Sequence, residues 1–172
     1  MENRLPRFVD HCQYASRYST MKIAEALLLR ADMQKKLSSL RERIGKNAVV
    51  QDGDEPHEDA SRLIEETFSV LKEFESLVVG INQANLQNKL PDGRSITEAI
   101  AHRDTLAAQH SLLQHAIAST QKEPDRYSRN EIKWVAMLKV GNLQKQSEDL
   151  AKKLRELNAG IQEANWRAEL EE

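Results

Sequence analysis

Few residues in this 172-residue chain have both the type and the spacing to do chemistry. Glu98 and His102 stand four apart, so a helix would present their carboxylate and imidazole on one face, and His110 follows two turns later. These three are the candidate metal ligands. The pattern is weaker than its precedents. No Glu-x-x-His, the pair that di-iron bundles repeat on two helices, occurs in the chain, and His-Glu-x-x-His is also missing. Arg30, Arg103 and His110 form a second set, falling on helix seams that are otherwise mostly apolar. A charge on a packing seam is expensive unless it is paired. Glu25, Glu98, Asp104 and the Asn82/Asn85 pair are the partners within reach along the chain. Two chemistries fit such residues. One is a buried polar network that fixes helix register. The other is a ligand or metal site inside a bundle, of the kind a hydrolase could use. If Arg103 and Asp104 pair in the interior, Arg103→Leu alone strands the carboxylate and costs about 3–5 kcal/mol.

Other reaction types lack their residues. No P-loop, Gly-x-Gly-x-x-Gly or Gly-x-Ser-x-Gly occurs. Cys12 is the lone cysteine, which excludes an intrachain disulfide and a cysteine-based metal site and fits a reducing compartment. His57-Glu58-Asp59 reads as the acidic opening of a helix rather than a ligand set. Basic and acidic residues nearly cancel, 25 against 27, leaving no electrostatic footprint for nucleic acid. Three Phe, three Tyr and two Trp are too few for a base-stacking platform or a β-sandwich. Apolar runs fall short of the ~20 residues that span a bilayer, and residues 1–20 lack the apolar core of a secretion signal. The expected location is the cytoplasm, with no nucleic-acid or membrane partner and no resident cofactor beyond a metal ion.

The elements that must position these residues are helices. Leu, Ala, Glu, Lys, Arg and Gln dominate, with four prolines and six glycines. Pro56, Pro91 and Pro124 each sit in a polar, turn-like stretch, and together they cut the chain into four long helices. The expected class is all-α: antiparallel, coiled-coil-like hairpins forming one helical domain over 21–172, with 1–20 a dispensable extension. The first helix spans about 21–44, capped by Ser19-Thr20 and stopped by Gly45; its seam is Ala26, Arg30, Met33, Leu37, Leu40 and Ile44. The second spans about 58–88 with Leu63, Thr67, Val70, Phe74, Leu77 and Ile81. The third spans about 95–120, opened by a Ser95/Glu98 capping box, and carries Ala99, Arg103, Leu106, His110, Leu113 and Ile117. The fourth spans about 140–170 with Leu143, Ser147, Leu150, Leu154, Leu157 and Ile161. Spacings alternate four and three, a mean period of about 3.5.

Two further features point outward. Ile132, Trp134, Ala136, Leu138 and Val140 alternate with period two, so the stretch near 131–139 is a short extended segment, laid on the bundle or paired with its copy. Ile64, Leu71 and Val78 repeat every seven residues beside the main seam of the second helix, as Ile23, Leu27 and Leu28 do on the first. A helix apolar on two stripes must bury two faces, and an even-numbered homo-oligomer provides the second burial.

Met21-Lys22-Ile23-Ala24-Glu25-Ala26-Leu27, Val50-Gln51-Asp52-Gly53-Asp54-Glu55-Pro56, Ile81-Asn82-Gln83-Ala84-Asn85, Asp92-Gly93-Arg94-Ser95-Ile96-Thr97-Glu98, Glu131-Ile132-Lys133-Trp134 and Asn165-Trp166 occur in this order. With these motifs, residues 21–172 resemble the septicolysin-like family of small bacterial proteins, departing from it at Ala84 and Asn88, where the family carries Thr. The resemblance implies an all-helical homo-oligomer, a hexamer among the options, with no established role. It also implies a shared polar cluster of Glu25, Arg30, Asn82, Asn85, Arg103 and Asp104. The sequence thus reads first as a non-enzymatic, self-associating helical bundle. The alternative is a ligand- or metal-binding protein using the polar cluster. A membrane-active cytolysin is disfavoured, since it follows from the family label alone.

Overall fold

The computed structural model describes residues 21–121 and 135–170. It is all-α, with helices α1 (Ile23–Asn47), α2 (Ala60–Gln87), α3 (Ile96–Ser119) and α4 (Val140–Arg167). Each boundary has a local cause. Lys22, in extended conformation, precedes α1 and donates its backbone N–H to the Glu25 carboxylate at 3.0 Å. Helix α1 therefore starts at Ile23 with Lys22 in the capping position, and the expected cap Ser19-Thr20 lies outside the described residues. Residues 21–22 are held extended by a short antiparallel bridge to the end of the chain, where Ile23 N donates to Ala168 O at 2.9 Å and Leu170 N to Met21 O at 2.8 Å. Gly45 does not stop the helix, which runs on to Asn47. There the Asn47 side chain donates to Arg43 O and accepts from Glu58 N, tying the helix end to the next segment. Asp59 caps α2 by accepting from Ser61 N and Arg62 N, so His57 and Glu58 lie just outside it. Ser95 and Glu98 form the capping box of α3 as the spacing predicts.

The chain divides into two compact units. The first comprises the described residues up to Lys89 and those from Ala164 to Leu170. Its core takes Ala26, Met33 and Leu40 from α1 and Leu63, Val70, Leu77 and Ala84 from α2, steps of seven residues in both helices. Ile23, Leu40 and Leu77 are fully buried, each stabilising the unit by about 1.5–3 kcal/mol relative to exposure. Leu170 is also buried, and Gly80 makes room for it: a Cβ there would meet Leu170 Cδ2 at 3.1 Å. The second unit, Leu90–Glu163, holds α3 and most of α4. Ile96, Ala99, Leu106, Ile117 and Ile161 are buried in it together with Ser147, whose Oγ accepts from Gln114 Nε2 at 2.7 Å across the two helices. It opens with a tight turn in which Gly93 N donates to Leu90 O and Leu90 N to Arg94 O. Gly93 takes φ +87°, a conformation glycine adopts without steric cost.

The expected extension 1–20 and the strand-like positions 131–134 lie outside the described residues. Residues 135–139 form neither helix nor strand, and Val135, Met137 and Leu138 are exposed.

Candidate functional site

The polar residues singled out by the sequence fall in both units. In the first, Glu25 is exposed and engaged at the start of α1, while Arg30 and Asn82 are exposed. Asn85 is half-buried, and its Oδ1 atom, fully screened from solvent, has no hydrogen-bond donor among the described residues. Asn165 Oδ1 is in the same state. In the second unit, Arg103 Nε and Nη2 donate to Asp104 Oδ1 at 2.9 and 2.7 Å. This pair is between chain neighbours, with side chains 35% and 64% exposed, and so it stands at the surface. The seam pattern places Arg30 and Arg103 too deep, because a seam shared by two helices covers every second position only partly.

The candidate metal ligands have separate surroundings. Glu98 Oε2 accepts from Ser95 N at 2.7 Å and from Ser95 Oγ at 2.9 Å, so this carboxylate serves the helix cap. His102 is exposed and His110 half-buried. Among the described residues no group of three or more His, Cys, Asp or Glu side chains could hold a metal ion.

The firmest electrostatic features lie elsewhere, and the sequence reading missed them. Arg43 grips Glu58 with two guanidinium nitrogens, Nε to Oε2 at 2.9 Å and Nη2 to Oε1, and Lys36 Nζ meets Glu66 at 2.9 Å. Both pairs tie α1 to α2 or its N-terminal approach. The hydrogen bond from Arg43 lowers the Glu58 pKa below the usual glutamate value, and that from Lys36 does the same for Glu66. Arg94 likewise lowers the pKa of Asp92 within the turn that opens the second unit. A sequence signal for the first pair existed in Asn47 and Glu58, which flank an Asp-Gly turn.

Two largely apolar surface features could receive something. Along the α3/α4 hairpin lie two hollows of about 360 and 380 Å³. Leu106 and Leu157 line one, Leu113 and Leu150 the other, and Lys153 lines both. On α2, Ile64, Phe68, Leu71, Val79 and Leu86 are exposed, Phe68 by 66%. At 100° per residue these five lie within a stripe centred about 150° from the buried seam. Two polar residues interrupt the stripe, Glu75 and Asn82, both exposed.

The comparisons with known proteins bear on family and fold. The model of DUF6847, a family of unknown function, matches residues 30–170, and the chain belongs to that family. This overturns the septicolysin-like resemblance, the sole ground on which the cytolysin reading stood. Several of the motifs that carried the resemblance are cap and turn residues, such as Asp92-Gly93-Arg94-Ser95 with Glu98, and they specify local geometry more than ancestry. No curated protein matches the chain. A crystal structure of a functionally unknown conserved protein from Corynebacterium diphtheriae is similar, with 32% identity and a TM-score of 0.81, over 88% of this chain and 99% of that one. Among the described residues, no helix is long and apolar enough to cross a membrane.

Proposed function

We propose that this member of a family without assigned function is a self-associating helical protein, non-enzymatic, whose working surface is the exposed apolar stripe of α2. One observation carries the reading: Ile64, Phe68, Leu71, Val79 and Leu86 are all exposed on one face of a helix whose opposite flank is already packed against α1. Single exposed apolar residues are ordinary, but five aligned over some 22 residues, about 33 Å of helix, form a continuous patch. Burying it against another copy of the chain removes it from water at no cost to the existing core. The test is sedimentation equilibrium of the full chain from low to high micromolar concentration. The wild type should exceed the monomer mass of 19.6 kDa, and Phe68→Glu should return it to that mass with its helix content unchanged. A wild type that stays monomeric throughout overturns the reading.

A further inference from the structure

We infer that the α2 stripe of one copy seats in the α3/α4 groove of a second copy, with Glu75 placed against Lys153. The inference rests on the self-association proposed above and adds what the stripe packs against. The two surfaces match in pattern. Glu75 stands midway along the stripe, eleven residues from Ile64 and eleven from Leu86. Lys153 stands midway along the groove wall that α4 provides, seven residues from Gln146 and seven from Gly160, and it separates the two hollows. Both side chains are exposed, and neither has an ion pair among the described residues.

With Glu75 centred on Lys153, the apolar neighbours follow. Leu71 and Val79 lie four residues to either side of the acid, about 6 Å along the helix axis. Each hollow extends seven residues of α4, about 10 Å, from Lys153. Leu71 and Val79 therefore arrive near the middles of the two hollows, over Leu106 and Leu157 in one and Leu113 and Leu150 in the other. The match holds for either direction of the incoming helix. A helix laid in an apolar groove, with one charge pair fixing its register, is a recurring mode of recognition. Stripe against stripe is the poorer fit, because a two-fold axis at the middle of the stripe would set Glu75 against its own copy. Since stripe and groove are different surfaces, the contact is head-to-tail. It closes into a ring or extends as a filament, depending on the rotation between copies.

The test uses full-length chains that each lack one surface. Phe68→Glu removes the stripe and keeps the groove; Lys153→Glu spoils the groove and keeps the stripe. Each alone should associate at least about tenfold more weakly than the wild type. Mixed in equal amounts they should form a heterodimer of twice the monomer mass that grows no further, since each supplies the surface the other lacks. The charge-exchanged chain Glu75→Lys/Lys153→Glu should regain assembly. If Lys153→Glu associates as strongly as wild type, or charge exchange gives no recovery, the groove is not the partner surface, while self-association stands. If the wild type itself is monomeric, both proposals fall.

Discussion

In the first unit charged side chains reach across the hairpin: Arg43 holds Glu58 and Lys36 holds Glu66. In the second unit the pairs Asp92 with Arg94, Arg103 with Asp104, and Lys152 with Glu156 each join near neighbours in sequence. There Gln114 makes a polar link between helices to a buried Ser147. The first unit is further closed by the backbone bridge between residues 21–23 and 168–170. The contrast teaches where a surface can remain available. The pairs of the first unit fix the register of α1 on α2 from the outside, and leave α2 free to be apolar on a second stripe. The second unit fixes its helices from within, and its outer groove keeps an uncommitted lysine.

The largest expected effect tests whether the units are independent. Leu77 is fully buried in the first core, so Leu77→Ala should cost about 2–5 kcal/mol in urea unfolding. Hydrogen exchange should then show protection lost along α1 and α2 while α3 keeps it. Equal loss in α3 would show one cooperative structure and break the comparison.

A smaller effect concerns the internal link of the second unit. Gln114→Ala leaves the Ser147 hydroxyl, 2% exposed, without its donor, and should cost about 1–3 kcal/mol. Ser147→Ala removes the buried hydroxyl and lets the exposed Gln114 amide return to water, at about 0.5–1.5 kcal/mol. The reverse order would mean that Ser147 finds another partner in the variant.

The cross-hairpin pairs predict a pH dependence. Glu58 and Glu66 have pKa values lowered from the usual 4.5 in the folded protein, by the hydrogen bonds from Arg43 and Lys36. Their contribution is present above pH 4.5 and is lost as pH falls through the lowered folded values. The melting temperature should therefore fall on acidification below that pH, and Glu58→Gln should flatten the fall. Because these groups are well solvated, the effect should also shrink with added salt. Asp92→Asn, which removes a pair local to one turn, should flatten the curve less. Equal flattening would erase the electrostatic difference between the units.

The smallest effect is at Arg103. With Asp104 its partner at the surface, a double-mutant cycle should give a coupling of about 0.2–1 kcal/mol, not the 3–5 kcal/mol of a buried pair. A coupling above 2 kcal/mol would show that the pair is desolvated in the working protein.

Most of the fold was legible because its causes are local. The seven-residue steps Ala26-Met33-Leu40 and Leu63-Val70-Leu77-Ala84 mark the buried faces, and Ser95 with Glu98 marks the start of α3. The depth of each seam position was not legible. Arg30 and Arg103 share the heptad phase of buried residues, yet a neighbour on one side covers a narrower stripe than the phase alone suggests. The bridge at 21–23 was hidden as well, since nothing in Met21-Lys22 announces pairing with residues nearly 150 positions later. The opposed midpoints at Glu75 and Lys153 became visible only once burial separated stripe from seam.

The bridge between residues 21–23 and 168–170 has a consequence in time. The second unit is an insertion within the first, whose closing residues are made after it. At synthesis rates of roughly 5–20 residues per second, about 4–16 s separate Lys89 from Leu170. During that interval α1 and α2 can pair, but the pocket that Leu170 fills beside Gly80 stays open. A chain emerging from the ribosome therefore carries its unfilled core and its α2 stripe exposed together. Truncation a few residues short of Leu170 should leave a protein prone to aggregate, although every helix is still encoded.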